Sequence, residues 1–250
     1  MGNEQTNANC EAIQRALNYP YPWNGKSYVF FNGYHHPVDK PHDQLRQKRT
    51  PVLAYGSNRS AEQLHRKFGI VTAENGIFVE ACQLSGFDII HSAHITSYGS
   101  IPAAILPHEK VMVEIAITWL NRDQLTIMDA SENTGITYGR ERITESVQFS
   151  DGYVCNKVEV YQSTHGPLKV NNKIVSHSNV SANGRKMNEM TNIDLLHLTH
   201  QNFCPDLTFN KFVTKTFLKE YNIPTAKAIL LRKNQEIDNS EIIKLLGLPI

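Results

Sequence analysis

The 250-residue chain is predicted to take an α+β fold, strand-rich with helices interspersed. Three observations predict it. Residues 143–149 and 157–161 alternate apolar and polar side chains, as half-exposed antiparallel strands do. Short apolar runs of strand length recur at 51–55, 101–106 and 111–120. Segments with helical spacing fall irregularly between and after these runs, so a regular parallel βαβ alternation is not expected.

In chain order, residues 11–17 carry a short helical pattern. An aromatic stretch follows with Tyr19, Tyr21, Trp23, Phe30, Phe31 and Tyr34, where prolines 20, 22, 37 and 41 oppose long regular structure. Its aromatics mark a segment packed on the main body, because free tails are aromatic-poor. At Thr50 the texture changes to a buried-strand pattern at 51–55, which Gly56, Ser57 and Asn58 interrupt. Ser60 is placed to cap a helix carrying Leu64 and Phe68, and Gly69 to end it. Four strands are expected next, at 77–84, 87–93, 101–106 and 111–120, and Asn121 then caps a helix over 122–128. Residues 171–188 are polar and read as a loop, and helical patterns return at 192–199, 209–220 and 240–246.

Composition narrows the function classes. With 40% hydrophobic and 20% charged residues the chain is ordinary globular protein. Lysine and arginine total 25 against 24 acids, so no global field draws nucleic acid or anionic lipid, and neither is expected as a partner. The basic run Arg46-Gln47-Lys48-Arg49 reads as a solvated loop. No apolar run approaches the roughly 20 residues that cross a bilayer. No apolar signal segment begins the chain, and Met1-Gly2 with Thr6 fits an acylation pattern short enough to recur by chance. Cys10, Cys82, Cys155 and Cys204 form no Cys-x-x-Cys pair, so free thiols in the cytoplasm are expected. His35, His36 and His42, and His91 with His94, are too loosely spaced for a zinc site and read as surface histidines. No Gly-x-Ser-x-Gly elbow occurs.

A strand ending in Tyr55-Gly56-Ser57-Asn58 is informative on backbone chemistry alone. Glycine allows close approach, and the amides of Gly56, Ser57 and Asn58 can converge on a carboxylate or a developing oxyanion. An ordinary strand-to-helix turn fits the same four residues. A second segment adds weight: Leu125-Thr126-Ile127-Met128-Asp129-Ala130-Ser131-Glu132-Asn133, followed by Gly135, Tyr138 and Arg140. With Leu84-Ser85-Gly86-Phe87 and Ile101-Pro102-Ala103-Ala104-Ile105-Leu106-Pro107 between them, the order and spacing over about residues 50–162 resemble the gamma-glutamylcyclotransferase-like family.

The resemblance implies a mixed, partly closed β-barrel over residues 50–165, with an N-terminal extension over 1–49 and a mostly helical C-terminal extension over 166–250. The C-terminal helices are expected to cover the barrel, make a dimer or recruit a partner, with no choice among these, and oligomeric state stays open. It implies an acyltransferase of glutathione-type metabolism. The α-amino group of a small-molecule γ-glutamyl substrate attacks its own γ-carbonyl, giving 5-oxoproline and a free amine, with no metal or organic cofactor. Glu132 holds the family's acid position and takes the proton-transfer role, although Asp129 stands close by in sequence. Tyr55, Gly56, Ser57 and Asn58 become the substrate-binding loop. Tyr138 either bonds substrate or packs structurally. Two positions depart from the family pattern. Asn133 replaces the usual glycine and tolerates a left-handed backbone. Arg59 replaces an apolar residue, and is expected either at the pocket mouth or in solvent. The rival reading is a non-catalytic binding module on the same fold.

Overall fold

The computed structural model describes residues 2–40 and 43–217. Helix α1 (Gly2–Leu17) leads into a small hairpin, β1 (Tyr28–Phe31) and β2 (Tyr34–Pro37), and a single turn of helix, α2 (Asp43–Arg46). Next come β3 (Thr50–Ala54), a 3-10 turn (Ser57–Arg59) and α3 (Ala61–Phe68). The two longest strands, β4 (Ile77–His91) and β5 (Ala103–Leu120), precede α4 (Arg122–Ser131). Short strands follow: β6 (Tyr138–Ile143), β7 (Val147–Gln148), β8 (Val154–Cys155), β9 (Val158–Ser163), β10 (Lys169–Val170), β11 (Lys173–His177), β12 (Ala182–Asn183) and β13 (Asn188–Met190). Helices α5 (Asn192–Phe203) and α6 (Phe209–Phe217) end the described chain.

The α+β class holds, and the sheet is mixed. Its strand path runs β10-β11-β4-β5-β3-β9-β6. Most pairs are antiparallel, while β3 with β9 and β11 with β13 run parallel. The expected barrel does not close: the path is open, with β10 at one end and β6 at the other.

Alternation divides the core as a two-residue period requires. Leu53, Phe78, Ile115, Ile117 and Trp119 point into one cluster, while Val52, Ala54, Ile77, Val79, Ala116 and Leu120 point into another, where they meet Leu64 of α3 and Met128 of α4. A third cluster joins Ala16 of α1 to Leu195 and Leu196 of α5 and to Phe212 and Val213 of α6, against Ala93, Ile95 and Ile101. The first helix and the last two described helices thus share one apolar seam beside the sheet.

Several elements depart from expectation. Helix α1 runs back to Gly2 rather than starting at Glu11. The four strands expected over 77–120 are two. In β4 the backbone passes through a register shift between Ser85 and Phe87, with Gly86 at φ 87° absorbing the irregularity. Pro107 sits inside β5 opposite Phe87. The alternating segment at 143–149 is the end of β6 and the separate strand β7, interrupted at Thr144–Ser146. The polar loop at 171–188 contains β11, whose Ser176 and His177 are fully buried. The basic run is not a solvated loop: Arg46 is buried and pairs with Glu80 and Asp151, and Arg49 Nη1 donates to the Trp119 carbonyl at 3.1 Å. The helical pattern at 240–246 and the end of that at 209–220 lie outside the described residues, as does His42. No helix among the described residues is long and apolar enough to cross a membrane.

Candidate active site

Strand β3 is held between β5 and β9, and its last residues deliver the loop to the end of the sheet. Tyr55 is buried, and its hydroxyl donates to the Tyr161 carbonyl at 2.5 Å. Gly56 follows at a point of close approach: a Cβ there would lie 2.7 Å from the Tyr19 hydroxyl and 3.4 Å from the Ala103 Cβ. No larger residue fits without displacing Tyr19. Ser57, Asn58 and Arg59 form the 3-10 turn, and Ser60 then adopts an extended cap conformation before α3 without a side-chain cap bond. Among the described residues the amides of Gly56, Ser57 and Asn58 make no turn, loop or cap bond to a backbone carbonyl.

Helix α4 begins with a capping box, in which the Asn121 side chain accepts from the Gln124 amide and the Gln124 side chain accepts from the Asn121 amide. It ends at Glu132, whose amide still bonds to the Met128 carbonyl at 3.0 Å. Asn133 then turns left-handed at φ 49°, the conformation expected for a substitute of glycine. Glu132 reaches the loop: Asn58 Nδ2 donates to its Oε1 at 2.8 Å. The same oxygen accepts from Lys67 Nζ on α3, a contact with Lys67 9% and Glu132 15% exposed. Asp129 is used elsewhere. Its Oδ1 accepts from the Tyr161 hydroxyl at 2.7 Å and from Arg140 Nε at 2.9 Å, and it does not line the cavity. The structure therefore separates two carboxylates that sequence left close together.

Around these groups lies a cavity of about 440 Å3. Tyr55, Gly56, Ser57, Asn58, Glu132 and Tyr138 all line it, so every residue assigned to the site from sequence reaches one space. Tyr138 donates to the Ala103 carbonyl at 3.3 Å, while the Ala103 amide donates to the Tyr19 hydroxyl at 2.8 Å. Burial above all, with the Glu132 charge adding to it, holds the phenols of Tyr19, Tyr55 and Tyr138 above their ordinary range. They stay protonated near neutrality, as hydrogen-bond donors.

Sequence reasoning missed Tyr19, Lys67 and Arg15, all of which line the cavity. Lys67 was legible in principle, since it lies on the helix after the loop, but one lysine in a polar octapeptide carries no signal. Arg15 and Tyr19 come from the N-terminal segment, with the Arg15 guanidinium 4.5 Å above the Tyr98 ring. Arg59 stands neither at this mouth nor in solvent; it is buried behind the loop and lines a different cavity. His91 and His94 are buried rather than at the surface, and His91 stacks on His177 with ring centres 4.2 Å apart. Among the described residues no three metal-binding side chains converge, and Cys10, Cys82 and Cys155 form no disulfide.

No family model matches the chain. Over 43 residues, 17% of this chain, it is 58% identical to a D-alanine--D-alanine ligase of Flavobacterium psychrophilum and 44% identical to one of Phocaeicola vulgatus. The chain spans 13% of the length of each ligase. Among solved structures it is similar to an uncharacterized protein from Homo sapiens, at 17% identity over 47% of this chain and 68% of that one, with a TM-score of 0.39. It is similar to an AIG2-like protein from Mus musculus at 19% identity over 48% of this chain and 80% of that one, with a TM-score of 0.34. It is likewise similar to a gamma-glutamyl cyclotransferase, at 18% identity over 47% of this chain and 68% of that one, with a TM-score of 0.38.

Proposed function

We propose that the chain cyclises γ-glutamyl compounds to 5-oxoproline with release of an amine. The observation that carries this reading is the 2.8 Å bond from Asn58 to Glu132, which joins an amide-rich loop and a carboxylate at one cavity. Cyclisation needs a group that takes a proton from the attacking α-amine and returns it to the leaving amine, and Glu132 serves both steps. Its Oε1 is held by Asn58 and Lys67, which leaves Oε2 for the substrate. The amides of Gly56, Ser57 and Asn58 face negative charge, either the γ-carbonyl oxygen as it becomes an oxyanion or the α-carboxylate. The neutral Tyr19, Tyr55 and Tyr138 add a wall that holds the substrate folded for ring closure. No step calls for a metal or organic cofactor.

The same proposal makes residues 50–165 the catalytic unit and gives residues 1–49 and 166–250 the task of shaping its surroundings. Arg15 and Tyr19 lining the cavity support that division of labour. A cytoplasmic enzyme acting on a small molecule, with neither nucleic acid nor membrane as partner, fits the balanced charge of 25 basic and 24 acidic residues.

One observation favours a second reading, a binding module without chemistry: Glu132 is engaged in an ion pair with Lys67. A screen of γ-glutamyl amino acids, peptides and amines for 5-oxoproline release separates the two. Cyclisation predicts turnover of at least one class and a loss of at least about 100-fold in Glu132→Gln. Undiminished turnover in the variant removes Glu132 from the mechanism, and silence across the screen selects the binding module.

A further inference from the structure

A second cavity, of about 450 Å3, lies on the other side of Tyr19. Leu17, Tyr19, Pro22 and Trp23 wall it from the N-terminal segment, with Arg59 and Asn179 facing them. Arg59 is 5% exposed. Its Nη2 donates to the Asn179 carbonyl at 3.0 Å and its Nη1 to the Glu114 carbonyl at 3.4 Å, while its Nε finds no acceptor among the described residues. The Trp23 ring lies 5.0 Å from its Cζ.

Arg15 and Arg49 also lack a carboxylate partner but are only half-buried, whereas Arg59 combines near-complete burial with a missing counter-charge. The other well-buried cations are paired: Arg46 with Glu80 and Asp151, Arg185 with Asp88 and Glu189, and Lys67 with Glu132. No carboxylate among the described residues pairs with Arg59. Burial lowers its pKa to about 10, so the group is still charged at neutral pH. A buried charge is expensive unless it is paired and fully hydrogen-bonded, and two carbonyls with one ring face supply only part of that. An anion entering the cavity would supply the partner that the described residues do not. A guanidinium recognises a planar oxyanion well, and the apolar walls Leu17, Pro22 and Trp23 suit a carbon skeleton rather than a bare ion.

The geometry points to this cavity as a binding site for a small organic carboxylate, its anionic end against Arg59 and its carbon skeleton along Trp23. This goes beyond the cyclisation reading and does not depend on it.

Titration with butyrate, with butyramide as the uncharged isostere and inorganic phosphate as the bare oxyanion, tests the assignment. In the wild-type chain, butyrate should raise the thermal midpoint in a saturable way, and butyramide should not. The indole resonance of Trp23 should move with the same saturation while that of Trp119 stays in place. Glu132→Gln, altered in the other cavity, should keep the full shift, and Arg59→Met should lose it while starting from an equal or higher midpoint without ligand. A shift that persists in Arg59→Met or vanishes in Glu132→Gln, an equal response to butyramide, or a response to phosphate alone overturns the proposal. Should Arg59→Met not fold, the wild-type indole resonances decide alone: a Trp23 signal unmoved by butyrate overturns it.

Discussion

Gly56 shows how one missing side chain organises the site. A Cβ at this position would lie 2.7 Å from the Tyr19 hydroxyl, so the oxygen of a distant tyrosine occupies the place a side chain would need. Gly56→Ala is expected to cost about 1–3 kcal/mol by overpacking, read from urea unfolding, and to lower any turnover. Tyr19→Phe in the same chain should recover part of the loss, because it removes the clashing oxygen; strictly additive effects in the double variant would show that the two do not meet. The loop itself was legible in sequence, since a strand that stops at Tyr-Gly-Ser-Asn announces exposed amides. Tyr19 was not, because nothing in an aromatic, proline-punctuated segment says which of its rings turns toward residue 56. Asn133 was legible for the opposite reason: its left-handed backbone follows from the chemistry of asparagine at a glycine position, without help from distant residues.

At the level of elements, α4 is the part that sequence describes best. Asn121 and Gln124 write a capping box into four consecutive residues, and the helix they start presents Glu132 at its end. Asn121→Ala should therefore cost about 1 kcal/mol of stability, measured by chemical denaturation. Strand β11 is the reverse case. Its sequence, Lys-Ile-Val-Ser-His, is half polar, and its last three residues are buried where Ser176 Oγ donates to Asp88 at 2.7 Å and Arg185 pairs with the same carboxylate. Asp88 and Arg185 are 97 residues apart, so no window of sequence reveals that the polarity is satisfied. The long strands β4 and β5 were seen as four pieces for a related reason. Gly86 and Pro107 look like breaks locally, yet they face the same irregular stretch of one hairpin and are tolerated there.

Across the whole molecule, stability depends on buried charges and on buried histidines. Arg46 belongs to the N-terminal segment, and its partner Glu80 lies deep in the sheet, where Trp119 Nε1 also donates to it at 2.9 Å. Arg46→Met leaves that carboxylate uncompensated and should cost about 3–5 kcal/mol in equilibrium unfolding, most of which Glu80→Gln should restore. Burial, ahead of every other cause, lowers the pKa of His91 from 6.5 to about 4, despite its bond to the Met190 carbonyl. The folded chain keeps the ring neutral, whereas the unfolded chain protonates it below about 6.5. This contribution is therefore fully present above pH 6.5 and is lost as pH falls toward 4. Unfolding midpoints should drop across that window, and His91→Gln should flatten the drop; an unchanged slope in the variant would assign the acid sensitivity elsewhere.

The side chain of Asn192 carries a consequence for how the molecule is made. Its Nδ2 donates to the Ala16 carbonyl at 2.8 Å, and its Oδ1 accepts from the Ile101 amide at 2.8 Å, across sequence gaps of 176 and 91 residues. One amide thus ties the first helix, the segment leading into β5 and helix α5 to each other. During synthesis the sheet can form from residues already released, but the first helix has no such tie until position 192 has left the ribosome. Arg15 and Tyr19 belong to or adjoin the helix that this amide fastens, so the last tie to form in that seam also steadies part of the cavity wall.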